Sequence, residues 1–219
     1  MATRPKSSEA ATLELYRVAL ENAEAQPEIS TIMAELGFDT AKIAEGKTLL
    51  TQTRSAFDFN LTEDDETSAA YALFSSKKSE LEKAFQLHRK KAKVVFRNDS
   101  LTAVKLAISG EMQRTYIKWL ESVKKFYSVS TTDADIQSKL ARLAITTDQL
   151  TAANTLLNEL ETARAAYVKE KGESQDATKS KDAAFAKIDD WMSEFYAVAK
   201  IGLEDNPQLF EALGKVVKG

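Results

Sequence analysis

Glu28-Ile29-Ser30-Thr31-Ile32-Met33-Ala34-Glu35-Leu36 and Asp135-Ile136-Gln137-Ser138-Lys139-Leu140-Ala141-Arg142-Leu143 read as two versions of one segment, 107 positions apart. The same offset recurs downstream without a gap. Lys47-Thr48-Leu49-Leu50 falls on Asn154-Thr155-Leu156-Leu157, Ala56 on Ala163, Glu63 on Glu170 and Glu66 on Glu173. Further on, Ala92-Lys93 falls on Ala199-Lys200 and Leu106 on Leu213. A constant offset over so long a stretch points to a tandem duplication, and self-similarity of this kind governs the whole fold.

Helix punctuation follows the same offset. Asn98-Asp99 and Asp205-Asn206 supply side-chain oxygens that can accept from free amides at a helix start, and Pro27 and Pro207 suit a first helical position, where no donor is needed. Gly37 can close the short helix in a left-handed cap. Ala144 stands in its place in the second copy, so a different cap is expected there.

Each copy then reads as one series of helices. Leu13, Tyr16 and Leu20 line a first helix, as do Tyr116, Trp119, Leu120, Val123 and Tyr127 in the second copy, at spacings of three and four. A short helix follows near 28–36 and 135–143, a long helical region over about 40–96 and 147–203, and a closing helix near 100–108 and 207–217. Gly110 with Met112-Gln113 marks the boundary. The organisation is therefore a disordered tail at 1–7, a first repeat at 8–110 and a second at 111–219, in an all-α bundle with long antiparallel, coiled-coil-like helices.

Within the long regions, Leu81, Phe85, Ala92 and Phe96 form an apolar stripe matched by Ile188, Met192, Ala199 and Leu203. The stripe fades at Glu63-Asp64-Asp65-Glu66 and again at Lys169-Glu170-Lys171-Gly172-Glu173-Ser174. Two readings are open there: the tip of a helical hairpin, with Gly172 ending one arm, or a single long helix. The hairpin is favoured, although the first copy has neither Gly nor Pro at that point.

Composition agrees with an all-α chain. The 219 residues include 43% hydrophobic and 29% charged residues, with only 7 Gly, 3 Pro and no Cys. That excludes a disulfide scaffold, a thiol nucleophile and thiolate metal centres, and disfavours a turn-rich β fold. The net charge of −3 divides evenly, with 15 basic and 16 acidic residues in 1–110, so there is no basic domain of the kind nucleic acid selects. No transmembrane run and no signal-type apolar stretch occurs in the sequence, so a cytoplasmic location is expected.

Chemistry is sparse. His88 is the only histidine, and Phe195 replaces it at the repeat offset, which favours a structural, half-buried role. A di-iron carboxylate bundle would need Glu-x-x-His, but Phe85 precedes His88 by three. The acid run 63–66 lacks the spacing of a calcium loop and reads as a solvated tip. The aromatic groups around Trp119 and Trp191 read as core. No catalytic, cofactor-binding or metal-binding residue is assigned, and no cofactor is expected.

The one basic concentration runs from Lys77 to Arg97. Its candidate binding stripe is Lys83, Arg89, Lys90, Lys91, Lys93 and Arg97, although Tyr196, Ala197 and Val198 replace Arg89, Lys90 and Lys91 in the second copy.

The segments Ile29 to Phe38, Thr48-Leu49-Leu50, Lys171 to Thr178 and Asp189-Asp190-Trp191-Met192 through Gly214 resemble a family of uncharacterised bacterial all-helical proteins with an internal repeat. The resemblance implies a bacterial cytosolic origin and brings no activity or site residue with it. The expected function is a non-enzymatic helical scaffold or protein-interaction protein, with a protein partner or self-association. The alternative is an accessory protein that meets nucleic acid or an anionic membrane surface through the basic helix 77–97. An enzyme working through carboxylates or tyrosines in a cleft between the copies is the weakest reading.

Overall fold

The computed structural model describes residues 8–215; the tail expected at 1–7 lies outside the described residues. Among the described residues there are eight α-helices and no strand: α1 (Glu9–Ala25), α2 (Pro27–Glu35), α3 (Thr40–Val95), α4 (Ser100–Lys105), α5 (Tyr116–Thr132), α6 (Ala134–Ala141), α7 (Thr147–Gly202) and α8 (Pro207–Ala212). None of them is long and apolar enough to cross a membrane.

Helix starts obey the sequence offset. Glu9 and Tyr116, Pro27 and Ala134, Thr40 and Thr147, and Ser100 and Pro207 each lie 107 positions apart. Local chemistry explains several of them. Ser8 accepts from the Ala11 amide, Asp99 from the Thr102 amide and Asp133 from the Ile136 amide, each occupying one of the donors a helix start leaves open. Pro27 and Pro207 stand at first helical positions, as their missing amide allows.

The hairpin expectation is corrected: α3 and α7 are single helices of 56 residues each. The fading of the apolar stripe does not break either one, because Glu, Asp and Lys carry little penalty in a helix and no proline interrupts the ladder. Gly172 costs roughly 1 kcal/mol relative to alanine, too little to end a helix continuous on both sides of it.

The chain divides into two compact units, and both boundaries fall inside the long helices. The first unit comprises Met1–Asp64 with Glu173–Gly219, the second Asp65–Gly172. This partition runs across the expected 8–110 and 111–219 division: the first unit joins the front of α3 to the rear of α7.

In the first unit α1, α2, the front of α3, the rear of α7 and α8 enclose a core that includes Leu20, Met33, Phe38, Ile43, Met192 and Phe195. Along it, Thr53 donates to the Ala184 carbonyl at 3.2 Å, Asn60 to the Thr178 hydroxyl at 3.2 Å, and Ser174 to the Asp64 carboxylate at 2.7 Å. Numbers that rise on α3 fall on α7, so the two run antiparallel. In the second unit the core includes Leu81, Phe85, Phe126, Tyr127, Leu140 and Leu160. The antiparallel sense repeats there, with Phe74 stacked on Tyr167 at 6.0 Å and Lys77 paired with Glu159 at 2.6 Å.

The cap expected to differ at Ala144 does not. Gly37 has φ 90° and Ala144 φ 53°, and a second equivalent pair, Ala107 and Gly214, has φ 53° and 78°. After Gly37 the Phe38 amide donates to the Met33 carbonyl at 2.8 Å. After Ala144 the Ile145 amide donates to the Leu140 carbonyl at 3.3 Å, the same closing bond. Alanine bears a steric cost in that region that glycine does not. Ala144→Gly is therefore expected to raise the unfolding free energy by about 0.5–1 kcal/mol in urea titrations. A loss of stability would show that the cap conformation is not held.

Candidate functional site: a basic cleft in the second unit

Helical geometry distributes the six candidate cations over different directions. Lys83 and Lys90, seven residues apart, are exposed on α3, and Arg97 is exposed in the turn that follows it. Lys91 turns to the Ala144 carbonyl at 3.4 Å. Arg89 and Lys93 turn instead to the segment between α4 and α5. The Arg89 guanidinium donates to the Ile108 and Gly110 carbonyls at 3.1 and 2.8 Å, and the Lys93 ammonium to the Gly110 carbonyl at 2.6 Å. The stripe is thus dispersed: Arg89 and Lys93 line one cavity, and Arg97 lines a smaller one with Asp99 and Arg142.

The cavity at Arg89 and Lys93, about 650 Å³, lies between α3, the segment after Gly110 and the start of α5. Its cations are Lys78, Arg89, Lys93 and Arg114, and its acids are Glu82 and Glu111. Lys78 is paired with Glu82 at 3.5 Å and lies 5.8 Å over the Trp119 ring. Arg89, Lys93 and Arg114 have no carboxylate within ion-pair distance among the described residues. Burial lowers the Arg89 pKa, yet a guanidinium stays charged under all ordinary conditions, so the site keeps a half-buried cation balanced only by neutral carbonyls. The Trp119 indole also lines the cleft; it is 3% exposed and its Nε1 has no acceptor.

The position 107 residues after Arg89 is Tyr196, and it makes different contacts. Tyr196, at the position of Arg89, donates its hydroxyl to the Leu213 carbonyl at 3.2 Å and so braces the turn after α8. The Lys215 ammonium lies 3.9 Å from the centre of the Tyr196 ring, so that side chain also has a cation beside it.

Sequence reading had selected Arg89 and Lys93 but missed Arg114 and the cleft roles of Lys78 and Trp119. The only signal for Arg114 was its place in the connection that Gly110 opens. Elsewhere, Glu63 is buried and Asp64, Asp65 and Glu66 are exposed on a continuous helix, so there is no solvated tip. Asp189 accepts from the Tyr16 hydroxyl at 2.8 Å.

His88 is buried more deeply than expected, at 6% exposure, with Nδ1 3.0 Å from the Tyr127 hydroxyl. Burial first, and the nearby Lys91 charge second, lower its pKa. The sign follows. The unfolded chain binds a proton below about pH 6.5, whereas the folded chain resists it, so the stabilisation is complete above that pH and is lost as pH falls through the folded value. Urea titrations between pH 7.5 and 5 should show a decline that His88→Phe removes in part; identical slopes in the two proteins would contradict this.

In comparisons with protein-family models, curated proteins and solved structures, nothing matches this chain.

Proposed function

We propose that this is a non-enzymatic helical interaction protein, and that the basic cleft of the second unit docks an acidic segment of a protein partner. The observation that carries the reading is Arg89, a half-buried cation with no carboxylate within ion-pair distance among the described residues. A carboxylate arriving from outside would complete the pairing that Arg89, Lys93 and Arg114 lack, and charge-assisted bonds to arginine are among the stronger polar contacts. Apolar exposure in the same unit supports a protein partner: Leu101 and Val104 of α4 are 84% and 59% exposed, where the equivalent residues of α8 are Gln208 and Glu211.

The test is fluorescence anisotropy with a labelled peptide rich in Glu and Asp. Binding is expected to weaken with salt, and about tenfold with Arg89→Tyr or with Arg114→Ala, the loss of one charge-assisted contact. No binding, or binding indifferent to Arg114→Ala, would contradict the proposal. Retention on DNA or anionic vesicles that Lys83→Glu with Lys90→Glu abolishes, and Arg114→Ala spares, would favour the exposed basic line as the working surface instead.

A further inference from the structure

Trp191 has no aromatic counterpart: Ala84 stands 107 positions before it, and Gly46, on which its indole lies, corresponds to Ala153. In the first unit the indole is held edge-on to Phe38 at 5.4 Å and stacked on Phe195 at 5.7 Å. It lies so close over Gly46 that a Cβ there would stand 2.5 Å from its Cη2. In the second unit the corresponding places are Ala84, Ala153, Ile145 and His88. Ile145 and His88 are buried like their equivalents, at 1% and 6% exposure. Alanine at position 84 supplies no ring there; Ala84 is half-buried and Ala153 is 5% exposed. A cleft of about 530 Å³ opens there, walled by the apolar Ala84, Leu87, Ala153 and Leu156, by His88, and by the exposed polar Glu80, Gln149 and Glu159.

We propose that this cleft binds a small planar aromatic molecule of about the size of an indole. The fold itself supplies the reasoning, because it places such a ring at the equivalent position of the other unit and leaves this one without it. The Ala153 methyl occupies the space that Gly46 leaves free, so the ring sits further out than Trp191 does, over Ala84 and against the edge of His88. His88 suits the role: its Nδ1 is engaged by Tyr127, and the imidazole is neutral at pH 7, so an apolar ring meets no buried charge. Leu87, 53% exposed, supplies an apolar lip. Its equivalent beside Trp191 is Glu194. The inference does not depend on the basic cleft, which lies elsewhere in the same unit.

Because His88 is the only histidine, its ring protons give a single reporter in the proton spectrum of the whole chain. Titration with indole is expected to move the His88 resonances saturably through the ring current. Two plugged variants control for the site. Ala84→Trp with Ala153→Gly rebuilds the pairing of the first unit, should displace the His88 resonances without ligand, and should weaken the indole response at least tenfold. Ala153→Leu fills the floor with a smaller side chain and should weaken it likewise. The absence of a saturable His88 response in the unaltered chain, or the same response in both folded plugged variants, would overturn the proposal.

Discussion

Trp191→Ala is expected to lower the unfolding free energy by about 3–5 kcal/mol, the range for removing a large buried aromatic and leaving a cavity. The indole is 6% exposed and packed between Phe38 and Phe195. Its Nε1 has no acceptor, so the loss comes from packing and burial, with no partner group orphaned by the substitution. Urea denaturation followed by circular dichroism measures it. A loss below about 1 kcal/mol would mean that the ring is not enclosed as described.

Gly46→Ala sets two effects against each other, and their magnitudes decide the sign. Alanine is the better helix former by about 1 kcal/mol. Against this, the new Cβ would stand within 2.8 Å of three indole atoms of Trp191. The indole cannot yield cheaply, since Phe38 and Phe195 hold it on either side. Overpacking of this kind costs about 1–3 kcal/mol, so a net loss is expected. In a Trp191→Ala background the clash is absent, and the same substitution should stabilise by up to about 1 kcal/mol. This reversal of sign in a double-mutant cycle is the readout. The Ala84 and Ala153 pair already displays the relieved combination in the second unit. A Gly46→Ala effect that is the same in both backgrounds would contradict the packing.

The core was legible because packing selects apolar residues at helical spacing. Leu81, Phe85, Ala92 and Phe96 are all buried, and so are Ile188, Met192, Ala199 and Leu203. Helix starts were legible where a side chain or a proline solves the problem of unpaired amides, as at Pro27 and Asp99. The continuity of the long helices was not. A stripe fades either where a helix ends or where two helices meet through scattered polar pairs and single rings. Asn60 with Thr178 and Phe74 with Tyr167 are of the second kind. The Ala144 cap was not legible because the steric preference against alanine there is a small cost, and the closing bond from the Ile145 amide to the Leu140 carbonyl forms despite it.

The site was half legible for a similar reason. A run of cations in sequence says nothing about which carbonyls fold back to meet them, and only the segment at 108–110 distinguishes Arg89 and Lys93 from exposed Lys83 and Lys90. Likewise, the partner that lets His88 lie fully buried, Tyr127, is 39 residues distant.

The pairing of the front of α3 with the rear of α7 can be tested by oxidative cross-linking, since the chain has no cysteine of its own. Asn60→Cys with Thr178→Cys places thiols where the two side chains already touch, and a disulfide is expected to form in the folded chain without loss of helicity. Failure of that pair to cross-link, together with ready cross-linking of Phe57→Cys to Ser75→Cys within α3, would show a hairpin in place of the continuous helix and contradict the fold described above.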